Sequence, residues 1–411
     1  FGRSEWAMLL PTIVAYVGVI LVTTWLVRRV ADPLAAVAAG LVFAATPIFV
    51  FYAKIPYPDV AELFYCVASF ALLWKALENG ALRWFIASGF ILSLAWLIRS
   101  SSAPFILLYA LLFLAGFRVH RARYLALFAG FVPPILIEWA YYQSRTGSPF
   151  YRVGVDMNSL EIPTAHMVGH VANGLRPPFN LELMAKWEPN SIVHVHFLLD
   201  PYIDFLTNPS FGLVWWGAIA CAVLLLRRMD LRGDLSGFVR VIAVMAVLWV
   251  FVTIYVLNLR PQPRYFLPAT WCACVLVGLG VRYLFRGQRR RLAAVGMAIL
   301  LASDALLISA RSDPMAAERQ LAGHAARAPG PMVSDLPKAR FLLEQRGTAA
   351  RVTYVGDDDT APAQPLLTTS DRVQFWQSRG MGAATTLPVE RSPVDRFWTA
   401  IAPPALLAKL R

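Results

Sequence analysis

Charge is what this sequence has least of. Asp, Glu, Lys and Arg make up only 15% of its 411 residues, against about a quarter in soluble globular chains. Cysteine is nearly as scarce. Cys66, Cys221, Cys272 and Cys274 all fall inside apolar stretches. Their spacing excludes a disulfide framework or a zinc-ribbon arrangement and leaves them as small buried apolar residues. Acidic residues are outnumbered, 25 against 38 Lys and Arg, for a net charge of +13 and a pI of 9.9. That surplus would suit a nucleic-acid partner, but its placement argues against one. The basic residues recur in short connections between apolar blocks, as topology signals do.

What is abundant is apolar length. Mean hydropathy is +0.54, with 58% hydrophobic residues, and these fall in blocks near the ~20 residues needed to cross a hydrocarbon core. About ten spans are expected: 7–27, 33–53, 60–77, 84–98, 103–117, 124–142, 211–226, 239–259, 266–285 and 292–310. Inside lipid each must satisfy its own backbone, so each reads as a helix. Trp6, Tyr52, Trp84, Tyr124, Tyr141, Tyr142, Trp215 and Trp216 stand near block ends, as interfacial belts do.

The connections alternate in character. One set carries Arg28/Arg29, Lys75/Arg83, Arg118/Arg121/Arg123, Arg227/Arg228/Arg232/Arg240 and Arg286/Arg289/Arg290/Arg291, with few acids. By the positive-inside rule this set is cytoplasmic. The other set, 54–59, 99–102, 143–210 and 260–265, then faces outward. Both chain ends fall on the outer side, and the start at Phe1 carries no signal peptide, so an N-terminal truncation with one missing span is expected.

From about residue 311 polar residues, Pro and Gly rise. Residues 331–335 and 351–355 read as strands, and 337–346 has helical spacing with Ala339, Leu342 and Leu343 on one face. Asp357-Asp358-Asp359 reads as a solvated turn, and the Pro/Thr/Ala-rich stretch from about 360 as loosely ordered. The expected organisation is a membrane domain, 1–310, with a large outer loop at 143–210, and a soluble tail, 311–411.

Polar groups beside apolar helices at the outer face are costly and therefore informative. Asp59, after Lys54-Ile-Pro-Tyr-Pro, either caps the next helix or faces a cavity as a base or metal ligand, with Glu62 one turn on along the same face. Arg260 and Arg264 bracket a Pro-rigid turn before Tyr265, where they either snorkel to the interface or meet phosphate oxygens. Arg99 precedes a Ser-rich turn that offers donors to an anion. The 143–210 loop holds His166, His170, His194 and His196. His194 and His196 would face one way on an extended chain and could share a metal, but no third ligand is identifiable by spacing. A loop of that length suggests function rather than mere connection. Glu138 and Asp304 lie near the outer ends of spans, either functional or snorkelling outward.

These residues carry a resemblance. Phe1–Pro11, Ala45-Thr-Pro47 through Tyr57-Pro-Asp59, Gly89–Arg99, Tyr141–Arg152, Asn208-Pro-Ser-Phe-Gly212 and Pro263-Arg264-Tyr265 occur in the order and spacing of known segments. Together they resemble the GT-C glycosyltransferases that use polyprenyl-phosphate sugars, namely the protein O-mannosyltransferases and the lipid A aminoarabinose transferase, a family 39-like group. The similarity covers about residues 1–285, with Arg99 where the group more often has Lys.

The resemblance implies an all-α polytopic membrane protein, a GT-C-like helical bundle with a small α/β C-terminal domain. It sits in a bacterial inner membrane with its tail periplasmic. The reaction implied is transfer of a sugar from a polyprenyl-phosphate donor to a periplasmic-side acceptor: lipid, glycan or protein. Arg99, Arg264, Arg260 and Lys54 would hold the donor phosphate, and Asp59 would assist as a second-loop carboxylate. Tyr265, His194, His196 and Glu138 would line the substrate side. The group's principal carboxylate lies in its first outer loop, upstream of Phe1, and Glu5 does not match that motif. A divalent metal is compatible with the group but not specified. Two other functions share the hydropathy pattern: a lipid-linked glycan polymerase or ligase, and a transporter. No internal repeat or paired broken helices support the transporter.

Overall fold

A computed structural model describes residues 5–152, 202, 206–228, 233–253, 263–286, 289–310, 316–327, 330–334, 336, 340–345, 347–354, 366–368 and 385–386. The membrane part begins with α1 (Glu5–Val30), α2 (Pro33–Ala45), α3 (Pro47–Ala53), α4 (Asp59–Asn79), α5 (Leu82–Ile98) and α6 (Ala103–Ala115). It continues with α7 (Arg121–Tyr124), α8 (Ala126–Thr146), α9 (Val214–Arg228), α10 (Asp234–Phe251), α11 (Leu267–Arg286) and α12 (Arg290–Ala310).

Among the described residues six helical segments are long and apolar enough to cross a membrane: Ala7–Val30, Asp59–Asn79, Arg121–Thr146, Asp234–Phe251, Pro263–Phe285 and Arg290–Ala310. Helices α2 and α3 are together long and apolar enough for a seventh, with a bend of 62° between them. Leu82–Ile98, Ala103–Ala115 and Val214–Arg227 are shorter apolar helices. The chain is thus a multi-pass helical membrane protein, and every expected block is matched by a helix. The bend in the second block has a local cause: Pro47 lacks an N–H and opens a new helix at its first position, after Thr46 turns extended at ψ 124°.

Burial sorts these helices into layers. Pro263–Phe285 is 83% buried over its apolar window, whereas Ala7–Val30, Arg121–Thr146 and Arg290–Ala310 are 22%, 17% and 17%. The bundle is therefore wound around α11, whose Trp271, Cys272, Ala273, Cys274 and Val275 are fully buried. Val14, Leu21, Phe128, Ile137, Leu292 and Leu306 on the outer helices stay exposed, the surface that lipid covers.

Close packing relies on small residues, since lipid tails supply no hydrophobic drive between helices. A Cβ on Gly89 would lie 2.0 Å from the Leu127 carbonyl oxygen, and one on Gly130 would lie 1.9 Å from that of Ile86. Helices α5 and α8 thus meet backbone to backbone. Buried hydroxyls add a second lock. Ser69 donates to the Ser88 carbonyl at 2.8 Å and Ser88 to that of Ser69 at 2.9 Å, with Tyr109 Oη 2.8 Å from Ser69 Oγ.

One end of the bundle is closed by separate ion pairs. Arg29 meets Glu78, Arg282 meets Asp32 at 2.7 Å, and Arg118 meets Asp234 at 3.0 Å. Asp32 also caps α2 by accepting from the Ala35 N–H at 2.9 Å. Apart from Arg282, which lies in the last turns of α11, these residues belong to the connections expected from their basic content to be cytoplasmic.

The chain divides into two compact units, Thr12–Ile308 and a second made of Phe1–Pro11 with Ser309–Arg411. The tail contains α13 (Ala316–Arg327), β1 (Met332–Ser334), α14 (Arg340–Gln345), β2 (Val352–Tyr354), β3 (Leu366–Thr368) and β4 (Thr385–Thr386). Its four strands are parallel in the order β2-β1-β3-β4, and Leu321, Ala322, Leu342 and Leu343 pack into its core. Strands β1 and β2 and helix α14 fall where the sequence pattern places them. Strands β3 and β4 lie in the stretch expected to be loosely ordered, and that expectation is corrected there. Parallel strands of two or three residues carry no alternation, and their partners are distant in sequence, so nothing local announces them.

Candidate active site

At the end of the bundle opposite the ion-paired one, the first residue of α4, the last turn of α5, the foot of α8 and the start of α11 converge. Position Pro58 precedes α4 without any side-chain capping bond, and Asp59 opens the helix. Its carboxylate is 3% exposed and does not cap; it binds the Arg99 guanidinium. Arg99 ends α5 in extended conformation, at φ −162° and ψ 135°, which swings its side chain off the helix toward Asp59.

The Arg99 guanidinium carbon lies 5.0 Å from the centre of the Tyr265 ring. The Arg264 guanidinium carbon lies 5.0 Å from the same ring. One aromatic face system thus holds two cations, each gaining about 0.5–2 kcal/mol from the ring quadrupole. Arg264 also donates from Nη2 to Tyr265 Oη at 3.1 Å, while its buried Nε has no hydrogen-bond partner among the described residues. A buried N–H left in that state is costly unless a ligand takes it up. Its Nε points into protein rather than out to solvent.

Behind this pair lies Glu62, one turn along α4 and 5% exposed, which accepts from Ser101 Oγ at 2.8 and 2.9 Å. Beside it Arg152 binds Glu138 at 2.6 Å and also donates to the Trp96 carbonyl. Three arginines and three carboxylates are therefore gathered in one place, and among the described residues Arg264 is the arginine of that group in no ion pair. Arg152 and Ser101 carry no signal of their own in the sequence. Arg152 ends the Tyr141–Arg152 segment quoted above, and Ser101 is one of three serines in a row.

An apolar groove of about 320 Å³ runs along α8, lined by Trp96, Ile106, Phe131, Ile135 and Trp139, with Glu138 and Arg152 at one end.

The chain as a whole is similar to known proteins. Residues 1–139 match the family model of dolichyl-phosphate-mannose-protein mannosyltransferase. ArnT from Cupriavidus metallidurans, solved bound to undecaprenyl phosphate, superimposes with a TM-score of 0.54 at 13% identity, over 95% of this chain and 83% of that one. The chain has the GT-C fold. The apo form of the same ArnT aligns with a TM-score of 0.50 at 14% identity, over 94% of this chain and 76% of that one. YkcB of Bacillus subtilis (strain 168), which carries a provisional mannosyltransferase name, is 33% identical over 113 residues. That match takes in 28% of this chain and only 16% of YkcB.

Within this GT-C chain, Asp59, Glu62, Arg99 and Glu138 lie inside the family match, and Arg152, Arg264 and Tyr265 beyond it. Of the residues expected from sequence, the fold brings together Asp59, Arg99, Arg264 and Tyr265, with Glu138 alongside. Lys54 is exposed at the end of α3 and is not among them. Arg260, His194 and His196 lie outside the described residues. Asp304 does not snorkel either. It is fully buried against Gly212, where a Cβ would lie 2.0 Å from Oδ1, in the turn that leads into α9. Among the described residues no three His, Cys, Asp or Glu gather as a metal site. Asp59 and Glu62 are each engaged, with Arg99 and Ser101.

Proposed function

We propose that this chain acts as a membrane glycosyltransferase, moving a sugar from a polyprenyl-phosphate donor to an acceptor at the outer membrane face. One observation carries the reading. Arg264 presents a buried, unpartnered Nε beside Arg99 on the Tyr265 ring, a two-pronged cationic site. When the glycosidic bond breaks, negative charge grows on the departing phosphate, and fixed guanidinium donors in a water-poor site stabilise it. Arg99 remains available to an anion because Asp59 occupies Nη1 and a guanidinium carries five N–H groups.

The groove along α8 suits a hydrocarbon tail, its walls apolar and its polar end next to the cluster. The mannosyltransferase family match over residues 1–139 makes mannose the first donor sugar to try. The group's principal carboxylate is not assigned to any residue of this chain; Asp59 orients Arg99 and is placed to assist. The inner membrane is the location that fits such a donor.

The test is transfer from radiolabelled polyprenyl-phosphate sugars, mannose first, in membranes containing the protein. Arg264→Ala is expected to lower transfer roughly 100-fold or more, the scale of losing one preorganised donor. Transfer near the unsubstituted level in both Arg264→Ala and Asp59→Ala would overturn the assignment.

A further inference from the structure

Glu62 is a buried carboxylate that the proposed transfer does not use, and its surroundings give it a task. It lies three residues after Asp59 on α4, so the two carboxylates stand on one helix face, roughly 5–6 Å apart at Cβ. Helix α4 therefore grips the Arg99 segment twice. Asp59 takes the Arg99 side chain. Glu62 takes Ser101, two residues further on, with both oxygens.

Ser101 is the middle residue of the 3₁₀ turn Ser100–Ser102 that joins α5 to α6. The same turn folds back on Arg99, whose carbonyl accepts from the Ser102 N–H at 3.4 Å and from Ser102 Oγ at 3.2 Å. Arg99 itself has left the helix, and its only bond back to α5 is from its N–H to the Ala95 carbonyl at 3.0 Å, among the described residues. A residue in that position is free to pivot unless the turn after it is anchored. The anchor is Glu62. Its carboxyl group also sits among Arg99, Arg152 and Asp59.

We propose that Glu62, acting through Ser101, is a positioning residue that holds Arg99 in the orientation needed to bind the donor's phosphate. The proposal rests on the reading of Arg99 and Arg264 as the phosphate site. When the phosphate arrives and Arg99 divides its donors between it and Asp59, the side-chain tether weakens and the Glu62–Ser101 tether keeps the guanidinium in place. An interaction made equally before and during bond breaking sets donor affinity, so its loss raises KM and spares kcat.

The experiment measures kcat and KM for a polyprenyl-phosphate sugar with the whole membrane-embedded protein. Glu62→Ala and Ser101→Ala are each expected to raise donor KM roughly tenfold with kcat within about threefold. Glu62→Gln and Ser101→Thr, which keep an acceptor and a hydroxyl, are expected to stay within about threefold of the unsubstituted KM. The deciding comparison is a double substitution. Glu62→Ala added to Arg99→Ala is expected to raise KM no further, because the residue it positions is gone. An effect of Glu62→Ala that adds in full to that of Arg99→Ala overturns the proposal, as does an unchanged KM in Ser101→Ala. If Glu62→Ala fails to fold, Ser101→Ala and its double with Arg99→Ala decide alone. Should Arg99→Ala and Arg264→Ala both leave donor KM and kcat unchanged, the phosphate-site reading itself fails. A shift in Arg99→Ala with none in Ser101→Ala removes only the role of Glu62.

Discussion

The two ends of the helical bundle spend their charges differently. At the end assigned to the cytoplasm, Arg29, Arg118 and Arg282 each hold one carboxylate from a neighbouring element, and Glu78 and Asp234 are at least partly exposed. Water and salt screen the Arg29 and Arg118 pairs, the Arg282–Asp32 pair is more deeply set, and each is a local fastening. At the other end Asp59 and Glu62 are almost wholly buried, two guanidiniums share the Tyr265 ring, and one guanidinium nitrogen is left unsatisfied. Folding alone does not favour such an arrangement, since buried charges cost more than the pairing returns unless every group is satisfied. A ligand that completes the set is the physical reason to keep it.

Substitutions can break that contrast, beginning with the largest effect. Arg264→Ala is expected to cost roughly 100-fold in transfer while leaving the thermal midpoint of the detergent-solubilised protein nearly unchanged, since it removes an unsatisfied group. A large fall in midpoint would make the arginine structural. Asp59→Ala strands Arg99 in a mostly buried site, at a cost of about 3 kcal/mol in stability. Asp59→Ala with Arg99→Met should recover much of that stability and none of the transfer, measurable by thermal unfolding and product formation on the same preparations. Gly89→Val drives a branched side chain into the Leu127 carbonyl and should destabilise by about 1–3 kcal/mol, without altering donor KM in the protein that folds. At the other end, Asp32→Ala removes a helix cap and an ion pair for about 1 kcal/mol. Arg29→Ala should lose about 0.5 kcal/mol, with transfer unaffected. An activity loss in Arg29→Ala would erase the distinction between the ends.

Much of this organisation is legible in the residue order because lipid imposes a strict rule on backbone polar groups. Each apolar block had to be a helix, and Arg28, Arg29, Arg118 and Arg286 announce one face of the membrane. Asp59, Arg99 and Arg264 stand out individually as charges beside apolar helices. Their meeting point does not, because it depends on how α4, α5 and α11 cross. Ser101 is indistinguishable from its neighbouring serines until the turn folds it onto Glu62. Arg152 looks like one more interfacial arginine until it reaches the Trp96 carbonyl. Asp59 could as well have capped its helix; only the position of Arg99 decides otherwise. In the tail, β3 and β4 escape notice because their pairing is entirely non-local.

The crossing of α5 and α8 at Gly89 and Gly130 has a mechanical consequence. With main chain seated on main chain, no side chain intervenes to be compressed or to change rotamer, so these two helices behave as a single stiff plate. The groove along α8 draws one wall from that plate and another, at Ile106, from α6. A bulky tail sliding in from the bilayer would therefore be admitted by movement of α6, the shorter helix that begins at the serine turn beside Arg99.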